Sequence, residues 1–344
     1  MQAVQIARHG GPDVLELVDL PVPEPGPKEV LVRVIASSIN HLDLWVRRGI
    51  PGVRFPLPLI PGCDGTGEIV ALGDGVASVA VGEPVVLLPG YSSGTSECDL
   101  LGDDHFSDDY SIRGEHCDGF DCEFVTLEDR FVMPLPAGVD PVHAAAVPLV
   151  FVTAWGMLVS RAGLLAGERV LVLAGASGVG SAAIQIARDL GARVIATAGS
   201  DEKRARARDL GAEEVLDHHD PDWPKQVKAW SAGRGVDVVV EHVGPATWDG
   251  SMRCLARRGR LVTCGGTTGP QVSLQLSHLF MKNIAVLGST MGPRSSLPVI
   301  YDKVAAGVFR PVVDRILPLS EVAAAHRALE AGEVNGKVVL TPDP

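Results

Sequence analysis

The chain has 344 residues, 46% of them hydrophobic, which is enough for two domains that each bury a core of ordinary size. Its formal net charge of −12 argues against nucleic acid and acidic membrane surfaces as partners, because both require a basic face. No apolar run reaches the roughly 18 residues of a membrane span, and the first residues do not resemble a signal peptide. We therefore expect a cytoplasmic protein whose six cysteines are free thiols and whose partner is a small-molecule substrate.

The first part of the chain, residues 1–136, is rich in glycine, proline and short apolar runs. Residues 29–36 (EVLVRVIA) and 67–72 (GEIVAL) are two such runs, and turn residues bound both of them. Alternation of apolar and polar residues is typical of strands that bury one face. The sequence therefore predicts a β-rich, antiparallel first domain.

From residue 137 the pattern changes to short apolar strands that alternate with helical stretches, which indicates βαβ units and a parallel sheet. Strands are predicted at 169–174, 192–197, 236–240, 259–264 and 284–288. This order predicts an α/β, doubly wound dinucleotide-binding domain over residues 137–290. The remaining segment, 291–344, carries a predicted helix at 319–331 and a last strand at 336–340, which we expect to return to the first domain.

A glycine-rich turn, GASGVG, follows the first predicted strand of this domain, and a helix-forming run begins directly after it. Gly175 permits a tight turn, the small Ser177 lets the backbone approach a pyrophosphate, and Gly180 lets the helix pack closely against the strand. The helix N-terminus, which includes Gly178 and Val179, then receives the phosphates. Glycine clusters more often mark ordinary loops, but the strand before this one and the helix after it favour a dinucleotide site.

The end of the second strand distinguishes NADH from NADPH. An acidic side chain there would bind the ribose 2′-hydroxyl of NADH and repel a 2′-phosphate. The chain instead has the small residues Ala198, Gly199 and Ser200, followed by the cationic Lys203 and Arg204. We expect NADPH, with NADH as the second choice. In the alternative interpretation residues 201–204 are the solvated start of a helix, and Asp201 binds the ribose of NADH.

Six further motifs carry a resemblance that runs nearly from end to end of the chain. They are GGPDVL (10–15), SINHLD (38–43), IPGCDGTG (60–67), VTAW (152–155), LGST (287–290) and GKVVL (336–340). In this order they resemble the medium-chain dehydrogenase/reductase superfamily. That resemblance implies a chaperonin-10-like (GroES-like) β domain joined to a Rossmann domain, and a nicotinamide that meets its substrate between the two.

The alcohol dehydrogenases of that superfamily hold a catalytic zinc ion. At its three ligand positions this chain has Asn40, Cys63 and Leu149, of which only Cys63 binds zinc well. Leu42 replaces the hydroxyl that relays the alcohol proton. The chain therefore resembles the zinc-free quinone oxidoreductase-like branch, and we expect no zinc. The alternative is a rearranged zinc site whose ligands are His41, Cys63 and Asp64.

The superfamily's second zinc ion is structural and takes four cysteines. Their positions correspond here to Ser93, Ser96, Asp99 and Ser107, and the hydroxyls among them cannot replace thiolates on zinc. We expect this lobe to be held by packing and hydrogen bonds. The alternative is a relocated metal site, whose ligands would be drawn from Cys98, His105, His116, Cys117 and Cys122.

Without a metal, the natural reaction is direct hydride transfer to an acceptor that needs little activation, such as a quinone or an α,β-unsaturated carbonyl. Asn40 would hydrogen-bond a substrate oxygen, Asp43 would orient its surroundings, and His41 is the evident proton donor. Cys63 is the remaining catalytic candidate. In the alternative interpretations Asn40 is a satisfied turn amide, Cys63 a small buried hydrophobe and His41 a structural residue.

The resemblance also implies cofactor contacts outside the glycine-rich turn. Thr153 would touch the nicotinamide, and Lys337 resembles a position that approaches the cofactor phosphate. The loops after the later strands would supply Val243, Cys264, Gly265, Gly266 and Ser289.

The superfamily commonly dimerises through the edge strand near Leu287, so we expect a homodimer or homotetramer. Two other functions stay open. One is an NAD(P)-dependent alcohol dehydrogenase that retains metal, and the other is a non-catalytic NADPH-binding protein.

Overall fold

The structure is a computed structural model that describes residues 1–343. The chain divides into two compact units. Unit 1 comprises Met1–Leu149 together with the residues from Pro293 onward, and unit 2 comprises Val150–Gly292. The sequence placed the corresponding boundaries at 136 and 290. Within the described residues, no helix is both long enough and apolar enough to cross a membrane.

In chain order the strands are β1 (Gln2–Ile6), β2 (Leu15–Asp19), β3 (Glu29–Ser38), β4 (Asp64–Leu72), β5 (Pro84–Leu87), β6 (Gly90–Tyr91), β7 (Ser111–Ile112), β8 (Phe124–Glu128), β9 (Val132–Pro134), β10 (Arg169–Val172), β11 (Arg193–Ala198), β12 (Glu214–Asp217), β13 (Val236–Glu241), β14 (Leu255–Thr263), β15 (Ala285–Gly288), β16 (Val313–Pro318) and β17 (Lys337–Thr341). The helices are α1 (His41–Arg48), α2 (Glu97–Leu101), α3 (Pro141–Ala144), α4 (Pro148–Trp155), α5 (Gly178–Asp189), α6 (Asp201–Asp209), α7 (Trp223–Trp230), α8 (Pro245–Cys254), α9 (Leu276–Lys282), α10 (Leu297–Ala305) and α11 (Val322–Glu330).

Unit 1 is built on a sheet in the order β16-β17-β3-β4-β5-β9, with β8 also paired to β3. Strand β3 is antiparallel to β4, β8 and β17, which confirms the predicted antiparallel β-rich domain. Val30, Val32 and Val34 of β3 are buried, and the residues between them are more exposed, as the alternating pattern predicts. Because β17 pairs with β3, the end of the chain contributes its residues to this unit.

Unit 2 is a six-stranded parallel sheet in the order β12-β11-β10-β13-β14-β15. The strand order runs outward from β10 in both directions, which confirms the predicted doubly wound Rossmann fold. Apolar side chains from the strands and helices form its core, including Leu171, Ile195, Val239, Leu261 and Trp248. In such a sheet, ligands bind at the carboxyl ends of the strands, so a cofactor site in this unit is expected there.

Candidate functional site

The chain turns sharply between β10 and α5, as the glycine-rich motif predicts. The left-handed residue of the turn is Ala174, with φ of 46°, one position before the predicted Gly175. A methyl group at Gly180 would lie 2.3 Å from the carbonyl oxygen of Ala174, and one at Gly175 would lie 2.9 Å from side-chain atoms of Ala196 and Ile184. Gly180 therefore lets the helix start approach the turn, and Gly175 lets β10 pack against β11 and α5.

The N-terminus of α5 has the geometry of an anion site. Ser177 caps the helix, and its Oγ accepts the N–H of Gly180 at 3.1 Å. The N–H groups of Gly178 and Val179 belong to the first helical turn and have no intrahelical partner. Residues 177–179 are half-buried, so a phosphate can reach these donors. This part of the chain fits the pyrophosphate of a dinucleotide.

The end of β11 carries the residues that the sequence assigns to the adenosine ribose. Ser200 caps α6, since its Oγ accepts the N–H of Lys203 at 3.3 Å. The side chain of Asp201 is fully exposed and forms an ion pair with Arg204 at 2.6 Å. The strand itself ends in Ala198, so no acidic side chain projects from its last residue.

The loops after β13, β14 and β15 contain the other predicted cofactor residues. Glu241, at the end of β13, is completely buried, and its carboxylate accepts the N–H of Val243 at 2.7 Å and the hydroxyl of Ser251 at 2.7 Å. Glu241 thus fixes the loop that carries Val243, a role the sequence reasoning missed. Its only sequence signal is an acid at the end of an apolar strand. Ser289 donates its N–H to the carbonyl oxygen of Thr263 at 2.9 Å, which joins the loops after β14 and β15.

Three further predicted cofactor residues lie where the sequence places them along the chain. Cys264, Gly265 and Gly266 follow β14 and are half-buried. Burial raises the pKa of the Cys264 thiol to about 12, so the thiol stays protonated.

Thr153 is 5% exposed in α4, and its hydroxyl donates to the sulfur of Met291 at 3.9 Å. The contact of Thr153 with a nicotinamide stays a prediction.

A buried polar cluster occupies the predicted metal-ligand positions in unit 1. Lys337, on β17, is 4% exposed, and its Nζ donates to Oδ2 of Asp64 at 3.0 Å and to Oδ1 of Asn40. Nδ2 of Asn40 donates to Oδ2 of Asp64 at 2.8 Å and to Sγ of Cys63 at 3.3 Å. The ammonium therefore joins residues far apart in the sequence. The contact of Lys337 with a cofactor phosphate stays a prediction.

Strand register brings this cluster together. Ser38 of β3 lies opposite Asp64 of β4 and, on its other side, opposite Val339 of β17. Asn40 lies two residues after the end of β3 and is the N-cap of α1. The third predicted ligand position, Leu149, contributes only its backbone N–H, which donates to Oδ1 of Asp64 at 2.7 Å.

Two further carboxyl groups lie in the same buried region. Asp43 accepts the N–H of Asn40 at 2.6 Å, and Asp121 accepts the hydroxyl of Ser37 at 2.6 Å. Burial and the neighbouring charge of Asp121 raise the pKa of Asp43 to about 7. Burial likewise raises the pKa of Asp121 to about 6. Asp43 therefore retains part of its proton near neutral pH and Asp121 does so near pH 6, although carboxyl groups in water lose their protons near pH 4. Asp121 was absent from the sequence prediction.

Cys63 and His41 differ in accessibility. Cys63 is completely buried, and burial raises the pKa of its thiol well above the usual value, so the sulfur stays neutral. This environment favours the interpretation of Cys63 as a small buried side chain. His41 is the first residue of α1 and is half-buried.

Residues 92–107 include the positions of the superfamily's structural zinc ligands, and hydrogen bonds hold this segment together. The carboxylate of Asp99 accepts the hydroxyl groups of Ser92 at 2.5 Å, Ser96 at 2.7 Å and Ser107 at 3.4 Å. These bonds lower the pKa of Asp99 to about 2, with Ser92 contributing most. Across residues 1–343, no group of three or more His, Cys, Asp or Glu side chains is arranged to hold a metal ion, including the candidates around Cys98.

Comparison with known proteins assigns both units to one family. Residues 26–137 match the alcohol dehydrogenase GroES-like domain, and residues 178–306 match the zinc-binding dehydrogenase domain. The quinone oxidoreductase of Pseudomonas aeruginosa is 33% identical, over 98% of this chain and 99% of its own. A crystal structure of an NAD-dependent alcohol dehydrogenase is 46% identical over 100% of both chains, with a TM-score of 0.96.

A third relative is a cobalt- and zinc-bound thermostable alcohol dehydrogenase from Pyrobaculum aerophilum. Its structure is 32% identical over 99% of both chains, with a TM-score of 0.90. The matches extend over both units and include oxidoreductases of two kinds. The chain therefore belongs to the medium-chain dehydrogenase/reductase superfamily, as an oxidoreductase with a GroES-like and a Rossmann domain.

Proposed function

We propose that this oxidoreductase uses NADPH to reduce a quinone or an α,β-unsaturated carbonyl compound without catalytic zinc. The observation that carries this proposal is the Lys337 ammonium, which is hydrogen-bonded to Asn40 and Asp64 at the superfamily's metal-ligand positions. A cation of the chain itself is thus held where the alcohol dehydrogenases hold a metal. The coarser activity, nicotinamide-dependent oxidoreduction, follows from membership of the superfamily.

The donor set at these positions does not fit zinc. Oδ2 of Asp64 accepts from Lys337 and Asn40, and its Oδ1 accepts the backbone N–H of Leu149, so three of about four lone-pair sites are in use. The oxygen of Asn40 also accepts from the ammonium. The sulfur of Cys63 accepts an amide N–H of Asn40, and Cys63 is the one residue of the three ligand positions that binds zinc well, whereas catalytic zinc takes three protein ligands. A metal ion would have to break most of these hydrogen bonds and displace Lys337.

The proposed chemistry suits such a site. Bound NADPH supplies a hydride, which adds to a quinone or to the β-carbon of an enone, and one proton completes the hydroquinone or the saturated ketone. These acceptors need positioning and mild polarisation more than a strong Lewis acid. Asn40 holds the Lys337 ammonium, and the third N–H of this ammonium polarises an acceptor oxygen. Asp43 holds the start of α1 through Asn40, and half-buried His41 donates the proton.

The preference for NADPH rests on unit 2. The N-terminus of α5 receives the pyrophosphate, and the end of β11 has Ser200 and Lys203 but no acidic side chain on its last residue. A 2′-phosphate meets hydroxyl and cationic groups there.

We also propose a cytoplasmic homodimer or homotetramer, assembled through the free edge of β15. Exposed apolar residues of α9 lie directly before that strand: Leu276, Phe280 and Met281.

The test is oxidation of NADPH and NADH by the purified, metal-analysed protein, with quinones, enones, aldehydes and alcohols as substrates. Turnover on quinones or enones that persists after chelation, in protein with less than one zinc per ten chains, supports the proposal. Activity restricted to alcohols and aldehydes, and abolished by chelation, supports the second candidate, an NAD(P)-dependent alcohol dehydrogenase. The 46% identity to an NAD-dependent alcohol dehydrogenase favours that candidate. Cofactor binding without any turnover would indicate a non-catalytic protein.

The role of His41 has its own test. His41→Ala should lower turnover with enones at least tenfold and leave NADPH affinity unchanged, because general acid catalysis contributes roughly 100-fold or more. His143→Ala is the matched control, since His143 is an exposed residue of α3. Equal turnover of the two variants would remove His41 from the mechanism.

A further inference from the structure

Two histidines lie beside the end of β11, at the place where the adenosine ribose binds in this fold. Ala198, the last residue of β11, lies opposite Asp217, the last residue of β12, so His218 and His219 come next to Gly199. A methyl group at Gly199 would lie 2.8 Å from Nε2 of His218 and 2.9 Å from Nε2 of His219. The two imidazoles therefore fill the space that a side chain at this position would enter.

This arrangement leaves no space for the acidic side chain that normally selects NADH at the end of the second strand. An acid at the end of the second strand of a Rossmann fold accepts hydrogen bonds from the ribose hydroxyls. At position 199 such a side chain would collide with both rings. The rings instead direct nitrogen atoms, which become N–H donors when protonated, toward the space beside the ribose position. The end of β11 is thus built from potential donors and lacks a carboxylate acceptor.

The histidine pair is surrounded by charged groups of both signs. The two rings are 4.6 Å apart between centroids, in an edge-to-face arrangement. The charged groups that face His218 come from α6 and β12 and from the next residue: Lys203, Arg204, Asp217 and His219. Asp217 accepts the N–H of His219 at 2.9 Å and pairs with Arg204 at 3.2 Å, so a phosphate would compete with this carboxylate for Arg204. Asp201 is exposed to solvent and paired with Arg204.

We propose that His218 and His219, together with Lys203 and Arg204, form a proton-dependent subsite for the 2′-phosphate of NADPH. This inference rests on the proposed use of NADPH. A phosphate dianion favours the protonated imidazoles, so its binding takes up protons and the preference for NADPH over NADH rises as the pH falls from 8 to 6.5. Below about pH 6 the phosphate itself gains a proton, and the increase levels off.

The environment of His218 is consistent with such proton uptake. Burial, and then the charge of His219, lower the pKa of His218 below that of a free imidazole. The ring is therefore neutral at pH 7 before the ligand arrives. A phosphate placed against the ring adds negative charge and raises the pKa of His218 again.

The experiment measures the affinities of NADP⁺, NAD⁺, adenosine 2′,5′-bisphosphate and AMP by titration calorimetry at pH 6.5, 7.2 and 8.0. For the wild-type protein we expect the ratio of NADP⁺ to NAD⁺ affinity to rise about fivefold or more from pH 8.0 to pH 6.5, since each proton taken up contributes up to tenfold per pH unit. The same titrations in two buffers of different ionisation enthalpy should show proton uptake with the bisphosphate and none with AMP.

The variant is His218→Gln/His219→Gln, whose side chains cannot be protonated. We expect its NADP⁺ to NAD⁺ ratio to change less than twofold over the same pH range, with NAD⁺ affinity retained as evidence that the site is folded. His278→Gln is the matched control. His278 lies in α9, which packs beside β14, and β14 lies toward the opposite edge of the sheet from β12. It should behave like the wild type.

The outcomes distinguish this inference from the proposed function. A preference for NADP⁺ that is independent of pH, or that the double variant retains with the same pH dependence, would overturn the histidine subsite alone. Equal or tighter binding of NAD⁺ at every pH would overturn the use of NADPH as well.

Discussion

His326 makes the stability of unit 1 depend on pH. It lies in α11, is completely buried, and its Nδ1 accepts a hydrogen bond from Nη1 of Arg47 at 3.2 Å. Arg47 is itself 1% exposed and forms an ion pair with Glu330. Burial, followed by the charges of Arg47 and Arg48, lowers the pKa of His326 to about 3. The folded state therefore holds a neutral imidazole throughout the physiological range.

Lowering the pH from 7 to 5 should destabilise the protein through this residue. The imidazole of the unfolded chain, with a pKa near 6.5, takes up a proton in this range, whereas the folded imidazole does not. Because one pKa unit corresponds to about 1.4 kcal/mol, the contribution to the free energy of unfolding falls by about 2 kcal/mol between pH 7 and pH 5. The loss continues until the pH reaches the folded pKa.

Asp43 and Asp121 act in the opposite direction. Their folded pKa values, about 7 and about 6, lie above those of the unfolded chain, so their contribution is present at low pH and is lost as the pH rises through the folded values. Comparing the wild type with His326→Asn isolates the contribution of His326 to the free energy of unfolding. Oδ1 of the Asn side chain can accept the hydrogen bond from Arg47, and this side chain cannot be protonated between pH 5 and pH 7.

The assay is urea unfolding, followed by circular dichroism, of the wild type and His326→Asn at pH 7 and pH 5. The difference in unfolding free energy between the two proteins should shift by about 2 kcal/mol, in favour of the variant at pH 5. The same difference at both pH values would refute the assignment of a neutral, buried His326.

Three further predictions concern the cluster, the turn and the assembly. Lys337→Met should lower the free energy of unfolding by about 3–5 kcal/mol, because it leaves the buried carboxylate of Asp64 without its cation; unchanged urea midpoints would contradict the ion pair. Gly180→Ala should weaken NADPH binding at least tenfold in calorimetry, since its methyl would overlap a backbone oxygen at 2.3 Å. Gly26→Ala, where a methyl meets only the end of a flexible side chain, should bind NADPH normally. Phe280→Glu should shift the protein toward monomer in sedimentation experiments, because Phe280 is 68% exposed beside the edge strand; an unchanged assembly would exclude this edge as the interface.

Most of the fold could be predicted from local patterns, and the exceptions have physical reasons. Strands such as β10 (RVLV) and β13 (VDVVVE) consist mainly of valine and leucine, and this composition made them easy to predict from the sequence. Strand β12 (EVLD) was missed because it has only four residues and an acid at each end, and β16 (VDRILP) because charged residues interrupt it. The turn was located correctly, but its left-handed residue is Ala174, where glycine would be expected.

The site was predicted less completely than the fold, because its contacts are distant along the chain. Asn40 and Cys63 were found through short motifs. The ion pair between Lys337 and Asp64 joins residues 273 positions apart, and the bond between Ser37 and Asp121 spans 84 positions. No local spacing encodes such pairs. They depend on the register of β17, β3 and β4, which only the assembled sheet defines.

Burial also reverses the usual order of proton affinities in unit 1. In water an imidazole holds its proton to a higher pH than a carboxyl group does, by more than two pKa units. Here Asp43 has a pKa of about 7 and His326 a pKa of about 3, so near neutral pH the carboxyl group retains protons and the histidine holds none. Asp43 accepts the N–H of Asn40, and a hydride reduction consumes one proton per turnover. The place of Asp43 beside His41 among the catalytic residues stays a prediction, and in the structure Asp43 holds the start of α1 through its bonds to backbone N–H groups.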